Sequence, residues 1–308
     1  MIVGDLSFHE FERVLNGPGI GLRIGPISVR IRDGHQELFA PTFHTLYSEF
    51  PLLPESEPAE FRIQLRDPIG LRRWWRRQMF FRLDDSDPFY PFPAGLAYPF
   101  FEWGLNWCIY EHVHEFFVIH SAVVEKGGHA LLMSAPPGSG KSTLCAALVN
   151  RGWRLLSDEF AIIDKANGQL IPIPRPVGLK EQSIEIIRKF APESWIGPAF
   201  ADTAKGTVAH MRPPAGAVAR MNEPALPAWL VFPTYEADAV TALSPVSKAS
   251  AFITASENSF NYKVLGETGF ECHWRLIDQC DCFELKFSDL DAALNLIEEL
   301  PAGRGGLP

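Results

Sequence analysis

The stretch A-P-P-G-S-G-K-S-T at residues 135–143 follows an apolar run, A-L-L-M, at residues 130–133, with only Ser134 between them. This order is typical of a phosphate-binding loop that joins a strand to a helix. The backbone N–H groups of Gly138 and Gly140 would converge on phosphate oxygens, and Lys141 would reach the terminal phosphates. The hydroxyl of Ser142 or Thr143 would hold magnesium. The sequence therefore predicts that a nucleoside triphosphate binds to Pro137, Gly138, Ser139, Gly140, Lys141, Ser142 and Thr143.

The loop departs from the usual pattern at one position, where Ala135 replaces the first glycine. A small residue is sufficient there because the position ends the strand, whereas the later glycines have less latitude. The alternative interpretation is a glycine turn that caps a helix by chance, and the order of strand, loop and helix disfavours it. The loop alone does not identify the reaction, because kinases, ATPases and GTPases share its geometry.

Two acidic residues, Asp158 and Glu159, follow the loop closely. Residues 142–151 predict a helix that stops near Gly152, and residues 153–157 predict a strand. A helix of about ten residues descends about 15 Å and a strand of about five residues returns about 16 Å, so we expect both carboxylates beside the phosphates. There, one carboxylate can coordinate magnesium and the other can accept a proton from an attacking hydroxyl. Without the loop, the default interpretation of this pair is a solvated turn.

The run R-G-W-R-L-L-S-D-E-F at residues 151–160, taken with the loop and with V-I-H-S-A-V-V at residues 118–124, resembles the catalytic core of bacterial HPr kinase/phosphorylase. The match is strongest to the group called HPr kinase-related protein A and covers about residues 118–163. The resemblance implies an α/β fold with a mixed sheet, built on a phosphoenolpyruvate carboxykinase-like P-loop core. It also implies ATP- and magnesium-dependent transfer of the γ-phosphoryl group to a hydroxyl, with a serine of a small protein or peptide as the expected acceptor.

The resemblance assigns roles to individual residues. Asp158 would be the acid/base that handles the acceptor proton, and Lys141 with Ser142 would bind phosphate and magnesium. Glu159 stands where the true HPr kinases have a second aspartate, and it would be a metal ligand. His120 matches the family histidine and would hydrogen-bond to the acidic pair or to the transferring phosphate. The alternative for His120 is a satisfied histidine at a strand edge.

Phosphoryl transfer also needs cations around the equatorial oxygens. The candidates outside the core are Arg175, Lys180, Lys205 and Arg212, and for each the alternative is a solvated surface charge. Lys205 and Arg212 are the preferred catalytic candidates, because the segment K-G-T-V-A-H-M-R-P-P at residues 205–214 lacks strong periodicity and loops often carry catalytic groups. This segment stands in place of a second, glycine-rich signature of the true kinases. HPr itself is therefore not the predicted acceptor.

Composition limits the functional classes further. The chain has 308 residues, 46% of them hydrophobic, and a formal net charge of -9, which argues against a general nucleic-acid binder. It begins M-I-V-G-D-L-S and contains no apolar span of membrane length, so we expect neither a secretory signal nor membrane insertion. The five cysteines lack C-x-x-C spacing, which favours reduced thiols in a cytoplasmic protein. A zinc site formed by Cys272, His273, Cys280 and Cys282 is a weaker alternative.

The chain divides near residue 115 into an N-terminal module with a linking helix (1–115) and a P-loop domain (116–308). Alternating segments at residues 22–31, 61–65 and 79–83 predict strands of a small β-rich module. The remaining predictions are a basic, tryptophan-containing surface segment at 71–77, a helix at 98–117, a helix at 181–190, a strand at 228–232, a closing helix at 288–300 capped by Ser288, and a frayed end at 301–308. Docking to an acidic partner or a membrane surface is the alternative for residues 71–77.

The leading hypothesis is thus a phosphotransferase of the HPr kinase type, with reversal by inorganic phosphate as a corollary of the resemblance. One alternative is a nucleotide-gated binding or scaffold protein in a biosynthetic cluster. Another is a kinase that acts on a small molecule, which the shared fold permits. A homo-oligomer is expected from the resemblance alone.

Overall fold

The computed structural model describes residues 1–33, 39–67 and 77–300. The chain is an α/β protein with several mixed sheets, as the sequence predicted. Apart from Arg77, the basic run at residues 71–77 lies outside the described residues, as do residues 301–308.

The N-terminal part contains a five-stranded sheet in its described residues. Its elements are α1 (Phe8–Asn16), β1 (Ile20–Ile24), β2 (Ile27–Asp33), α2 (Phe39–Leu46), β3 (Phe61–Arg66), β4 (Gln78–Leu83), β5 (Phe92–Pro93) and α3 (Ala97–His112). Strands β2 and β3 are parallel, and the other neighbouring pairs are antiparallel. The predicted strands at 61–65 and 79–83 are confirmed. The single strand predicted at 22–31 is wrong, because a turn at Gly25, with φ of 60°, divides it into the hairpin of β1 and β2.

The rest of the described chain adds twelve strands and seven helices. They are β6 (Phe116–His120), β7 (Ala122–Lys126), β8 (His129–Met133), α4 (Lys141–Asn150), β9 (Arg154–Ser157), β10 (Phe160–Asp164), β11 (Leu170–Ile171), β12 (Val177–Lys180), α5 (Gln182–Phe190), β13 (Phe200–Thr203), β14 (Gly206–Met211), α6 (Ala215–Ala219), β15 (Leu226–Tyr235), β16 (Ala242–Pro245), α7 (Lys248–Ser256), α8 (Tyr262–Leu265), α9 (Glu267–Gln279), β17 (Asp281–Phe287) and α10 (Leu290–Glu298).

A six-stranded sheet with the order β16-β17-β15-β8-β7-β9 positions the glycine-rich segment at residues 134–140. Strands β8, β15 and β17 are parallel, and β7 runs antiparallel to both β8 and β9. Strand β9 therefore points in the same direction as β8. The chain leaves β8 toward the glycine-rich loop and leaves β9 toward Asp158, so both segments emerge at the same edge of the sheet.

Two smaller antiparallel sheets complete this part of the chain, in the orders β11-β10-β6 and β12-β14-β13. Helix α4 lies between the large sheet, where it contacts β7, and the sheet β12-β14-β13, where it contacts β12. Its apolar side chains are therefore buried on nearly every face. The helix is hydrophobic all round, as expected of a helix enclosed on both sides.

The hydrophobic core of the N-terminal part continues across the predicted boundary at residue 115. Side chains of Val118, Phe160 and Val208 belong to the same buried cluster as Tyr98 and Phe101 of α3. The division into residues 1–115 and 116–308 stays a prediction, but the two parts share one apolar cluster.

Three other element predictions can be compared with the structure. The helix at 181–190 and the strand at 228–232 are confirmed, although the strand is longer. The helix predicted at 98–117 ends at His112, because Phe116 and Phe117 begin β6 and pair with β10. The closing helix is capped by Asp289, which accepts a hydrogen bond from the Ala292 N–H at 2.7 Å, so the Ser288 cap was wrong.

No helix in the described ranges has both the length and the apolar character needed to cross a membrane.

Candidate active site

Residues 134–140 form the glycine-rich loop between β8 and α4. Gly138 and Gly140 have φ angles of 88° and 87°, a region that favours glycine. Gly140 is also constrained by packing, since a Cβ there would lie 2.6 Å from the Phe287 ring. The Tyr235 N–H donates to the Ser139 carbonyl oxygen at 3.1 Å and ties the loop to β15. The loop is therefore held in one conformation by the ends of two strands.

Helix α4 begins at Lys141, directly after this loop, and Gly140 provides no side-chain cap. The first N–H groups of an α-helix have no partner within the helix, and the helix dipole adds positive potential there. Ser142 and Thr143 lie in this first turn and are partly exposed. The sequence thus builds the kind of helix terminus that binds phosphate.

The connection from β6 to β7 reaches the same edge of the sheet. The hydroxyl of Ser121 donates to the carbonyl oxygen of Met133 at 2.8 Å, and the Ser121 N–H donates to the Glu159 carbonyl oxygen at 3.1 Å. Ser121 thereby links the end of β8 to the acidic pair. His120, the residue before it, is placed beside both.

His120 lies between Lys141 and Glu159. Its Nε2 is 2.6 Å from Lys141 Nζ, while its Nδ1 is 3.6 Å from Glu159 Oε1, longer than a hydrogen bond. Burial, followed by the charge of Lys141, lowers the pKa of His120 to about 4. His120 is therefore neutral at neutral pH, and Lys141 donates to Nε2. The other ring nitrogen then carries the hydrogen and faces Glu159.

Asp158 is buried, with 8% of its surface exposed. Its Oδ2 accepts a hydrogen bond from the Gly178 N–H at 2.9 Å, and its Oδ1 has no hydrogen-bond partner in the described part of the chain. Burial, followed by the charge of Glu159, raises the pKa of Asp158 to about 6. Such a carboxylate is ionised at neutral pH and is more basic than an ordinary aspartate, which suits a general base.

Glu159 differs from Asp158 in exposure and in the direction of its pKa shift. Burial acts to raise the pKa of Glu159, but His120, Lys141 and Lys205 outweigh it and lower the pKa below its ordinary range. The side chain is 29% exposed. The two adjacent carboxylates thus have different environments. Glu159, which is ionised and the more accessible of the two, suits a metal ion.

The two preferred cations occupy opposite ends of β14. Lys205 lies in the turn between β13 and β14 and lines the same cavity as Asp158 and Glu159. Arg212 follows the other end of β14, where Met211 contacts Asn150 at the last turn of α4. A ten-residue helix is about 15 Å long, so Arg212 lies far from the loop at the first turn. The structure brings Lys205 to the site but not Arg212.

The other two cations considered from the sequence, Lys180 and Arg175, both line this cavity. Lys180 ends β12 and is exposed. Arg175 is buried; it donates to Asn106 Oδ1 and lies 3.4 Å from Glu102 Oε2. Lys205 and Arg212 were preferred because the segment at 205–214 lacks strong periodicity. That reason was misleading, because most of the segment forms the regular strand β14.

The cavity has a volume of about 300 Å³ and extends from Ser142 and the acidic pair to α3. Phe100, Trp103 and Asn106 of α3 and His210 of β14 line it, and sequence reasoning assigned none of them to a site. An aromatic residue on a helix gives the same sequence pattern whether its side chain packs in the core or lines a pocket. The one indication that the sequence offered was that His210 belongs to the segment at 205–214, five residues after Lys205.

The donor set fits a magnesium ion that arrives with a nucleotide. The residues described contain no group of three or more His, Cys, Asp or Glu able to hold a metal, and Cys272, Cys280 and Cys282 are free and buried, so the zinc alternative has no support. Magnesium bound to phosphates needs only one or two protein oxygens. Ser142 and Glu159 offer such oxygens, and Asp158 keeps one that lacks a partner.

Comparison of the sequence with known proteins found no matching family model and no matching curated protein. The site combines a helix terminus suited to phosphate, a buried carboxylate with a raised pKa, and a second, accessible carboxylate.

Proposed function

We propose that this chain is an ATP- and magnesium-dependent phosphotransferase that transfers the γ-phosphoryl group to a hydroxyl. One observation carries the proposal: Ser142 in the first turn of α4 and Asp158, whose pKa is raised to about 6, line the same cavity. The proposal includes a phosphoenolpyruvate carboxykinase-like core and kinship with HPr kinase-related proteins. Both follow from the sequence resemblance and agree with the mixed α/β fold.

The chain's own residues have separate roles in this reaction. The N–H groups at the start of α4 and the Lys141 ammonium bind the phosphates, and His120 orients Lys141 through their 2.6 Å contact. Asp158 takes the proton of the acceptor hydroxyl while the new O–P bond forms and the bond to the leaving ADP breaks. Lys205 and Lys180 stabilise charge on the phosphoryl oxygens. Magnesium, held by Ser142 and Glu159, would neutralise phosphate charge.

The resemblance favours a serine of a small protein or peptide as the acceptor, with reversal by inorganic phosphate that yields pyrophosphate. A small-molecule acceptor is the second candidate, favoured because Asp158 is only 8% exposed. A scaffold function offers no reason for a buried carboxylate with a raised pKa. Five free cysteines agree with a cytoplasmic enzyme, and a homo-oligomer is part of the proposal by resemblance.

Three variants, assayed with ATP labelled on its γ-phosphate, test the proposal. Lys141→Ala should abolish ATP binding, whereas Asp158→Asn should bind ATP within a few-fold of wild type and transfer phosphate about a hundredfold to ten-thousandfold more slowly. Asp85→Asn, at a fully exposed aspartate, is the control and should behave as wild type. Wild-type transfer by Asp158→Asn would show that Asp158 is not the base.

A further inference from the structure

One wall of the cavity is apolar and comes from the N-terminal part of the chain. Trp103 lines the cavity and is 39% exposed. Its ring packs 4.5 Å from that of Phe89 and 5.1 Å from that of Phe100, which stacks on Phe92. This cluster fixes an open aromatic surface next to the catalytic groups. Such a surface can cover the apolar body of a ligand.

Away from the acidic pair, three buried polar residues, Glu102, Arg175 and His210, form the floor of the cavity, with 4%, 7% and 9% of their surface exposed. Glu102 and Arg175 lie 3.4 Å apart and balance each other's charge. Burial lowers the pKa of His210, so its imidazole is neutral at neutral pH. Arg175 Nη1 and His210 Nδ1 have no hydrogen-bond partner among the residues described. The floor therefore has no net charge but offers unused hydrogen-bonding atoms.

Gly178 connects this floor to the catalytic carboxylate. A Cβ at Gly178 would lie 3.7 Å from Asp158 Oδ2 and 4.0 Å from His210 Nε2. Asp158 and the floor thus border the same small space. One ligand can place a hydroxyl at Asp158 and a polar group at the floor.

We infer that this cavity binds the phosphoryl acceptor, and that the acceptor is a small molecule with a hydroxyl, an apolar body of about the size of one ring, and an uncharged polar group at its far end. This inference rests on the proposed function. The volume of about 300 Å³ is at the small end of ligand pockets. A serine of a folded protein would have to carry its main chain to a carboxylate that is 8% exposed. A lone carboxylate on the ligand would lack a free counter-charge at the floor, because Glu102 already balances Arg175.

Calorimetry with three probes tests the inference on the full chain without nucleotide. The probes are para-(hydroxymethyl)benzamide, the matched para-(hydroxymethyl)benzoate, which differs in charge, and glycerol, which lacks an apolar body. The benzamide should bind at least about tenfold more tightly than either of the others. Trp103→Ala should weaken benzamide binding about tenfold, and Trp274→Ala, at a similarly exposed tryptophan on α9, should change it less than about twofold.

A second variant keeps the test independent of α3. Gly178→Ala adds a methyl group at ordinary contact distances, so the protein should fold, but the methyl occupies the space shared by Asp158 and His210. Benzamide binding should fall about tenfold or more, while ATP binding should stay within about twofold.

Two further measurements separate this inference from the proposed function. The protein and ATP labelled on its γ-phosphate are incubated with the small-molecule fraction and, separately, with the macromolecular fraction of a cell extract. We expect label on a compound of the small-molecule fraction other than ATP or inorganic phosphate. If ATP binds but the benzamide does not, if the benzoate or glycerol binds as tightly, or if label enters only macromolecules, the inference is overturned. None of these results contradicts the proposed function, and label on macromolecules supports it. If ATP itself does not bind, the proposed function fails.

Discussion

At the scale of single residues, the pKa of Asp158 sets the pH dependence expected of the proposed phosphoryl transfer. A general base must be unprotonated, and burial raises this pKa from 3.8 to about 6. As pH falls through about 6, Asp158 becomes protonated and loses its function. We predict that kcat/KM for the acceptor is constant from pH 7 upward to the next ionisation and falls about tenfold per pH unit below about 6.

Unfolding at low pH would also lower the rate, so folding is measured as the control for this prediction. Thermal denaturation at each pH shows whether the enzyme stays folded, and ATP binding at pH 5 shows whether the loop stays competent. A rate that holds constant down to pH 4.5 in folded protein would exclude Asp158 as the titrating base.

Lys205 and Arg212 form a matched pair for a second prediction at this scale. Lys205 lines the cavity, whereas Arg212 lies at the far end of β14. Lys205→Ala should lower kcat about tenfold to a hundredfold because it removes a cation near the transferring group. Arg212→Ala should leave steady-state transfer within about twofold of wild type. A larger loss in Arg212→Ala than in Lys205→Ala would reverse this assignment.

The residues predictable from the sequence are those whose chemistry requires a fixed local pattern. Gly138, Gly140 and Lys141 belong to one contiguous motif, and the distance along the chain to Asp158 indicated its level at the sheet edge. Arg175 was a candidate cation that the sequence could not rank above the others, and His210 was not assigned. Arg175 reaches the cavity through long-range packing against α3, as its contact with Glu102 shows. Burial of that kind leaves no local pattern.

At the scale of elements, the edge strand β9 is held in place by a buried ion pair. Arg154 contacts Glu125 of β7, with 6% and 3% of their side-chain surfaces exposed, and also donates to the carbonyl oxygens of Arg220 and Glu223. Strand β9 leads directly into Asp158. The arginine in R-G-W-R-L thus supports the site from a distance through the strand that carries it.

Arg154→Ala should therefore destabilise the fold strongly, by about 3 kcal/mol, since buried Glu125 loses its nearest counter-charge and keeps only Arg220, at 3.9 Å, and the Gly128 N–H. Arg151, three residues earlier, pairs with Asp291 at the surface, where the two side chains are 24% and 69% exposed. Arg151→Ala is the control and should cost less than about 1 kcal/mol. Urea denaturation measures both, and equal losses in the two variants would contradict the structural role of Arg154.

Element predictions failed where a turn or a pairing strand overrode local pattern. The aromatic run at 98–117 predicted one helix, but Phe116 and Phe117 gain more by pairing with β10 than by extending α3. The segment at 205–214 was interpreted as a loop because it lacks strong periodicity, yet β14 pairs with both β12 and β13. Strand pairing depends on distant partners, which a single sequence does not display.

At the scale of the whole molecule, the N-terminal part contributes directly to the candidate site. Helix α3 supplies Phe100, Trp103 and Asn106 to the cavity, and one apolar cluster joins α3 to strands that follow residue 115. The α/β class was predicted from the sequence resemblance, and the order of strand, glycine-rich loop and helix at residues 130–150 agrees with it. The meeting of α3 with Asp158 was not predicted, because the two lie on opposite sides of the division drawn at residue 115.

The central claim is that the terminal phosphate of a nucleotide and the carboxylate of Asp158 share one cleft. A crystal structure with magnesium and a non-hydrolysable ATP analogue measures this directly as the distance from the γ-phosphorus to the nearer Asp158 oxygen. We predict about 5 to 6 Å, the space for one acceptor oxygen hydrogen-bonded to the carboxylate and aligned with the phosphorus. A separation of more than about 10 Å would leave the base unable to reach that oxygen and would contradict the account.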